Sequence, residues 1–258
     1  MLLLLSPAKK LHSQPEVPSG LRTTRPAFVE QAEELITELR KYSPNQLAKF
    51  MKLSPALAEE NVARYQNWST EHRRPKASPS MLTFAGEVYF ELKAATLNND
   101  DLKFAQQHLR ILSGLYGVLR PLDLIHPYRM EMGRKLANPR GKDLYQYWQD
   151  QIRLSVEKQL KAQGDDVILN LASNEYFKAV QPKQLSAQVI TPHFKEERDG
   201  GYKMIGVFAK KARGMMTRYV IQKRITDPAA VKKFKVAGYR YNAAESKAND
   251  WVFTRKQA

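Results

Sequence analysis

Two continuous apolar runs most constrain what this chain can fold into. One is the run of four leucines at Leu2–Leu5, and the other is the apolar centre of Asp165–Ser173, "DDVILNLAS". A half-exposed strand alternates apolar and polar residues, whereas an unbroken apolar run bounded by polar residues is typical of a strand buried on both faces. The sequence therefore predicts buried strands in the interior of a sheet.

Amphipathic helices alternate with these strands. Pro26–Lys41 has apolar residues at three- and four-residue spacing, and Thr24 is a candidate cap for it. Ser43-Pro44 begins a second helix and Ser54-Pro55 a third, because serine caps a helix and proline suits its first turn. Further helices are predicted at Asp100–His108, Lys142–Lys161 and Ala209–Arg224.

Short strands complete the pattern. "RDGG" at Arg198–Gly201 is a good hairpin turn between two strands. The further predicted strands are Arg110–Leu112, Gln188–Glu197, Tyr202–Phe208, Arg240–Tyr241 and Trp251–Thr254. Because helices and strands mix along the whole length, the sequence predicts an α+β fold: a single domain over residues 1–258, with a mixed β-sheet and surrounding helices.

The charge is strongly positive and uneven. The chain has 42 Lys and Arg against 26 Asp and Glu, a net charge of +16, and residues 201–258 alone carry +11. Such a field favours a polyanionic partner, with a basic protein that has no such partner as the alternative. The absence of cysteine excludes disulfides and thiolate metal sites and fits the cytoplasm. The short leucine run is a poor signal peptide, and no run approaches the length of a membrane helix.

The predicted helix Ala209–Arg224 concentrates this charge. Its apolar residues fall on one arc, and Lys210, Lys211, Arg213 and Arg218 fall on the opposite arc with Arg224. A helix with a packed apolar face and a basic outer face can lie along phosphates. The alternative is an ordinary solvated helix face.

The two short helices on either side of "LSPAL" (53–57) resemble a helix-hairpin-helix. In that motif, backbone N–H groups at the start of the second helix bind DNA phosphates. Ser54 and its neighbours would supply those groups here, with Lys49, Lys52 and Arg64 close by. The glycines usual in such a hairpin are missing, so a plain helical corner is the alternative.

The stretch Ser113–Gly133, "SGLYGVLRPLDLIHPYRMEMG", has neither a helical nor a strand period. Its glycines permit tight turns, and the residues before its prolines are biased to extended conformations. The leucines must pack into a core, and the alternation at Arg129–Met132 predicts a short strand. We expect its polar residues, including Arg120 and Asp123, to line a cleft.

Six polar residues could carry catalysis if the protein is an enzyme. They are Ser6 and Lys9 after the first strand, Ser173 and Glu175 after the later one, and Asp123 and Glu131. Glu175 also suits a helix cap. The five histidines are scattered, and neither a phosphate-binding Walker loop nor a serine-nucleophile elbow is present. The sequence thus predicts no metal site and no cofactor.

Several of these segments together resemble the bacterial YaaA family, a former domain of unknown function linked to peroxide stress. The central stretch "LSGLYGVLRPLDLIHPYRMEMG" carries the resemblance, which covers essentially the whole chain. The other matching segments, in chain order, are "SPAKKL", "FAGEVY", "NLASNEY", "KKARGMMTRY" and the late "GYRYN…S…WVFTR".

The resemblance implies one compact α+β domain of an unusual fold, with a positively charged cleft, a helix-hairpin-helix-like element at about 44–68 and DNA binding. It also implies protection of DNA and protein from hydrogen peroxide, linked to lowering unincorporated intracellular iron. No reaction is firmly attached to the family. We therefore expect a cytoplasmic, monomeric protein that binds duplex or distorted DNA with weak sequence preference.

Combining charge and resemblance gives twelve candidate DNA contacts: Lys9, Lys10, Lys49, Lys52, Ser54, Arg64, Arg120, Arg129, Lys210, Lys211, Arg213 and Arg218. One alternative is an enzyme acting on a nucleic acid or a phosphorylated small molecule in the same cleft. Another is a basic face that binds an acidic protein.

Overall fold

The four leucines of β1 (Leu2–Leu5) lie at the centre of the main sheet, and each is at most 1% exposed. In the computed structural model, which describes residues 1–13 and 15–256, β1 pairs in parallel with two other buried strands. These are β5 (Leu109–Ser113) on one side and β8 (Val167–Leu171) on the other. The prediction of buried interior strands is therefore confirmed.

The other strands are short, except for two that extend the sheet beyond β8. They are β2 (Lys10–Leu11), β3 (Ser78–Pro79), β4 (Phe84–Ala85), β6 (Gly117–Leu119), β7 (Leu124–Ile125), β9 (Gln188–Arg198), β10 (Gly201–Lys203), β11 (Arg240–Tyr241) and β12 (Asp250–Arg255). The main sheet has the order β11-β12-β9-β8-β1-β5-β6, with β10 paired to β9. Its five middle strands are parallel and its edges antiparallel. Two small ladders, β2-β4 and β3-β7, lie outside it.

Helices surround the sheet and cover its apolar strands. They are α1 (Val29–Leu39), α2 (Pro44–Met51), α3 (Pro55–Asn67), α4 (Ser80–Thr83), α5 (Glu87–Leu92), α6 (Asn99–His108), α7 (Leu144–Trp148), α8 (Gln151–Gln163), α9 (Asn174–Phe177) and α10 (Gly206–Lys223). The α+β class, with a single domain and a mixed sheet, is confirmed. Of the helices in residues 1–13 and 15–256, none combines the length and apolar character needed to cross a membrane.

The serine caps form where the sequence predicts them. Ser43 begins α2 with a capping box that includes Gln46, and the Ser54 hydroxyl accepts a hydrogen bond from the Leu57 N–H at the start of α3. Thr24 does not cap α1, so that prediction is wrong. Its hydroxyl donates instead to the Asp123 carboxylate at 2.6 Å, because the chain around Thr24 pairs with the loop at Leu122–Leu124.

The predicted long helix Lys142–Lys161 is two helices, α7 and α8. Gln149 takes a φ of 45° between them, which ends α7 after one turn. The reason is tertiary: the Trp148 indole N–H donates to the Gly114 carbonyl at 3.0 Å, and the ring lies against Gly117. Trp148 is fully buried there, which fixes the direction in which the chain leaves α7.

Two strand predictions are also wrong. β10 ends at Lys203, and Gly206 already begins α10, so Tyr202–Phe208 is not one strand. Arg129–Met132 forms no strand; the short strand of this region is β7 (Leu124–Ile125), which pairs with β3. After Lys203 the chain turns into α10, and at Met130 the backbone lies against Gly114, so neither segment continues as a strand.

Candidate functional site

A cleft of about 350 Å³ opens beyond the carboxyl ends of β1 and β8. The chain leaves β1 and later returns in parallel as β5 on one side and as β8 on the other. The gap between β1 and β8 is thus a topological switch point, the usual place for a ligand in an open α/β sheet. Five of the six candidate catalytic residues line this cleft: Ser6, Lys9, Glu131, Ser173 and Glu175.

Ser6 and Ser173 bond to each other across the two strand ends. The Ser173 N–H donates to the Ser6 hydroxyl oxygen at 2.8 Å, and that hydroxyl donates to the Ser173 oxygen at 3.3 Å. The Tyr89 hydroxyl donates to the Ser6 carbonyl at 2.8 Å and ties α5 to the end of β1. The floor of the cleft is therefore built from groups that already satisfy one another.

Glu131 is the central charge of the cleft wall. The carboxylate is almost fully buried, and its Oε1 lies 3.3 Å from Lys9 Nζ and 3.4 Å from both Arg129 and Arg134. The Oε2 atom is buried and has no hydrogen-bond partner among the described residues. One carboxylate thus faces three cations, which leaves this wall with a positive balance.

The remaining cleft charges divide into paired and unpaired groups. Glu175 accepts a hydrogen bond from the Gly133 N–H at 2.8 Å, and Glu87 lies 3.6 Å from Lys211. Lys10 and Lys210 also line the cleft, and neither has a carboxylate within 4.0 Å in residues 1–13 and 15–256. The two lysines are the groups best placed to bind an added anion.

The helical arcs predicted Arg213 and Arg218 on the basic outer face of the helix, but both side chains are partly buried. α10 packs closely on α5, and Arg218 donates to the carbonyls of Leu92 and Lys93 at 3.0 Å. Arg213 lines the cleft, with its Nε buried and without a partner in the part of the chain described, and burial lowers the pKa of this guanidinium. Tertiary packing has drawn both arginines inward.

Asp123 and Arg120 lie away from the cleft, contrary to the sequence-based expectation. Asp123 is 1% exposed and accepts hydrogen bonds from Thr24 and from the Arg120 backbone and guanidinium. Burial raises the pKa of Asp123. These contacts hold two loops together. Asp123, the sixth candidate catalytic residue, therefore has a structural role and does not line the cleft.

The α2–α3 hairpin joins the cleft wall through the segment that carries Glu131. The Tyr65 hydroxyl bonds the Arg129 carbonyl, and Arg134 donates to the Phe50 carbonyl at 3.4 Å. Lys52 ends α2 with a φ of 55°, the left-handed conformation for which such hairpins normally use glycine. Lys49 and Lys52 are exposed on this hairpin.

Arg64, also a candidate DNA contact on the hairpin, has an acidic neighbour. Its guanidinium pairs with Glu60 at 2.6 Å one helical turn away. Arg129 is likewise paired, with Glu131, and is mostly buried. The exposed lysines of the hairpin are therefore more accessible to phosphate than its arginine.

Ser113–Gly133 is mainly core, with one functional end. Leu115, Leu119 and Ile125 are fully buried, and the Tyr128 hydroxyl bonds the Ser113 hydroxyl at 2.6 Å. A side chain at Gly114 would lie 2.4 Å from the Met130 carbonyl, so the two ends of the stretch pass very closely. Glu131 is the residue of this stretch that reaches the cleft lining.

Arg134, Tyr89 and Phe90 are site residues that sequence reasoning missed. Tyr89 belongs to the segment "FAGEVY" (84–89), which carried the resemblance, and that was the one available signal. Arg134 has no local pattern, because its role depends on Glu131 being buried beside it. Among the described residues, no group of three or more His, Asp or Glu side chains could hold a metal ion.

Comparison with known proteins gives one consistent result. Residues 1–245 match the family described as peroxide stress protein YaaA. A UPF0246 protein of Ralstonia pickettii is 51% identical over 257 residues, which is 99% of each chain. Further UPF0246 proteins, from Colwellia psychrerythraea and Saccharophagus degradans, are 49% identical over the full length of both chains. The chain belongs to the YaaA family of peroxide stress proteins.

Proposed function

We propose that this peroxide stress protein binds DNA through the cleft at the ends of β1 and β8. The observation that carries the proposal is the convergence of four cations on one cleft. Lys9 and Lys10 come from the start of the chain, and Lys210 and Arg213 from α10. Phosphate contacts by lysine and arginine supply most of the affinity of a protein that binds DNA without reading its sequence.

The cleft also contains three carboxylates, which would repel phosphate if they were free. Each is engaged: Glu131 by three cations, Glu87 by Lys211 and Glu175 by a backbone N–H. Lys10 and Lys210 keep their charge available. The local charge pattern therefore supports a polyanion at the cleft rim.

The α2–α3 hairpin would extend this surface as a helix-hairpin-helix-like element. Lys49 and Lys52 are exposed there, and the first turn of α3 offers backbone N–H groups, although the Ser54 hydroxyl already takes the one at Leu57. Since Arg129 and Arg134 connect the hairpin to the Glu131 wall, one DNA segment could contact both.

Fluorescence anisotropy with labelled duplex, bubble and single-stranded DNA tests the proposal. Affinity should fall steeply with salt, and Lys210→Ala should reduce the slope of log affinity against log salt by about 1. Lys158→Ala is the matched control, because Lys158 is an exposed lysine on α8, which packs on β6. An affinity that stays flat between low and physiological salt would refute phosphate binding.

The link to unincorporated intracellular iron is, in our proposal, indirect. His72 and His126 are the histidines whose rings lie close together, with centroids 4.8 Å apart, and each makes hydrogen bonds inside the protein. Their surroundings are Trp68 and Tyr116, not carboxylates. Anaerobic calorimetry that found tight, stoichiometric ferrous binding would contradict an indirect role.

A second candidate function is an enzyme acting on a nucleic acid or a phosphorylated small molecule. The observation that favours it is the gathering of Ser6, Ser173 and Glu131 at a switch point with lysines at the rim. Mass spectrometry of oligonucleotides and nucleotides incubated with the protein tests it. A product formed by the wild type and lost in Ser6→Ala would support catalysis; no product would leave DNA binding as the function.

A further inference from the structure

A second cavity, of about 370 Å³, adjoins the cleft. Its walls include the apolar side chains of Met81, Leu82 and Phe84, with His12 at one side. Tyr89 and Phe90 belong to the linings of both cavities, so these two residues form the shared wall. A cationic cleft and a mainly apolar cavity therefore lie on opposite sides of one aromatic pair.

Phe90 is unusual within this wall. Half of its surface, 50%, is exposed, whereas Tyr89 is 5% exposed and anchored to the Ser6 carbonyl. The His12 ring meets the Phe90 ring edge-on, with centroids 6.4 Å apart. A half-exposed ring beside lysines is the combination that proteins use to stack an unpaired base whose phosphate is bound nearby.

The backbone sets the spacing between the two cavities. From Ser6 in the cleft the chain runs into β2, where Leu11 pairs with Phe84 of β4, and the His12 backbone N–H then donates to the Thr83 carbonyl. His12 follows Lys10 by two residue steps of extended chain, a distance of roughly 7 Å. One nucleotide, with its sugar between phosphate and base, can bridge such a gap.

We propose that the two cavities together bind one unpaired nucleotide. Its phosphate lies against Lys9 and Lys10, and its base enters the apolar cavity and stacks on Phe90. A base paired inside a duplex cannot reach this cavity, whereas an unpaired base pays the least unstacking free energy to enter it. The inference rests on the proposed DNA binding and specifies which part of the DNA the cleft selects.

The full-length protein can be tested with a duplex that carries a single unpaired 2-aminopurine, whose fluorescence reports on stacking. The comparison probes are the fully paired duplex and free 2-aminopurine deoxyribonucleoside monophosphate. Phe90→Ala should weaken binding of the unpaired probe by about tenfold more than it weakens binding of the paired duplex, and it should abolish the fluorescence change of the unpaired probe. Phe90→Tyr should restore both readouts.

Leu154→Ala is the matched control, since Leu154 is 49% exposed on α8 and should change neither readout. One outcome is that the wild type binds the duplex while Phe90→Ala binds the unpaired probe with the affinity and fluorescence change of the wild type. In that case the inference is wrong and the proposed function stands. If only the free monophosphate binds, and Phe90 is required, the ligand is a free nucleotide and the DNA proposal fails. Binding of no probe overturns both.

Discussion

At Gly214, α10 crosses α5 with no room for a side chain. A Cβ atom added at Gly214 would lie 2.0 Å from the Val88 carbonyl oxygen and 3.0 Å from the Glu91 Cβ. Side-chain carbons do not approach a backbone oxygen below 3.0 Å, so Gly214→Ala requires the helices to separate by roughly 1 Å.

Two effects of Gly214→Ala oppose each other, and their magnitudes decide the sign. Alanine is favoured over glycine inside a helix by about 1 kcal/mol. Forcing extra volume into a packed contact costs about 1–3 kcal/mol, and here the obstacle is backbone that cannot rotate away. Since the obstacle is rigid backbone, the cost should exceed the gain, and we expect the free energy of unfolding to fall by about 1 kcal/mol and at most by about 2 kcal/mol.

The same substitution should also weaken DNA binding. α10 carries Lys210 and Arg213, and α5 carries Tyr89 and Phe90, so separating the helices changes the distance between the lysine rim and the aromatic wall. Anisotropy of labelled DNA at low salt measures this loss of affinity. The intrinsic fluorescence of the protein checks that the variant is folded under the same conditions as the wild type.

Urea denaturation of Gly214→Ala and Gly206→Ala provides the decisive comparison. Gly206 lies in the same helix, and a Cβ there meets no described atom within 4 Å. The control should be as stable as the wild type or slightly more stable. If Gly214→Ala is itself more stable by about 1 kcal/mol, helix propensity dominates and the close-contact reasoning is refuted.

Two further predictions concern buried ionisable groups. Burial lowers the pKa of His72 to about 4 from an ordinary 6.5, so the unfolded chain takes up the proton first as pH falls. The contribution of His72 to the free energy of unfolding should be fully present above about pH 6.5 and fall by up to about 3 kcal/mol towards pH 4. His72→Gln should flatten that part of the decline in urea titrations at several pH values. Glu131→Gln keeps the shape of the cleft but removes the charge opposite Lys9, Arg129 and Arg134. We expect about 2 kcal/mol lower stability together with tighter low-salt DNA binding and a steeper salt dependence, and an unchanged salt slope would contradict the assigned charge role.

Local elements were predictable wherever their stabilising contacts are local. The starts of α2 and α3 follow from Ser43-Pro44 and Ser54-Pro55, because a cap bonds within three residues of itself. The break at Gln149 was not predictable, because its cause is the burial of Trp148 against Gly114 and Gly117, more than thirty residues away. The Thr24 prediction failed for the same reason: its partner is Asp123.

The candidate site shows the same division. Ser6 and Ser173 were each identifiable as polar residues after a buried strand, and both line the cleft. Nothing local indicated that their strands are neighbours, since the hydrogen bond between Ser6 and Ser173 joins residues 167 positions apart at the ends of two parallel strands. Phe90 has no sequence pattern of its own and becomes informative only because the fold leaves it half exposed beside the lysines.

The sequence by itself determined the charge, the buried strands, the capped helices and the family. Only the tertiary structure decided which charges remain free. The excess of +11 in residues 201–258 is partly offset by acids from elsewhere, since Lys211 meets Glu87 and Arg224 meets Asp101. Lys210 is the chain neighbour of Lys211 but has no carboxylate within 4.0 Å among the described residues, so it keeps its charge at the cleft. Coulomb energy depends on distance in space, which the order of residues along the chain does not specify.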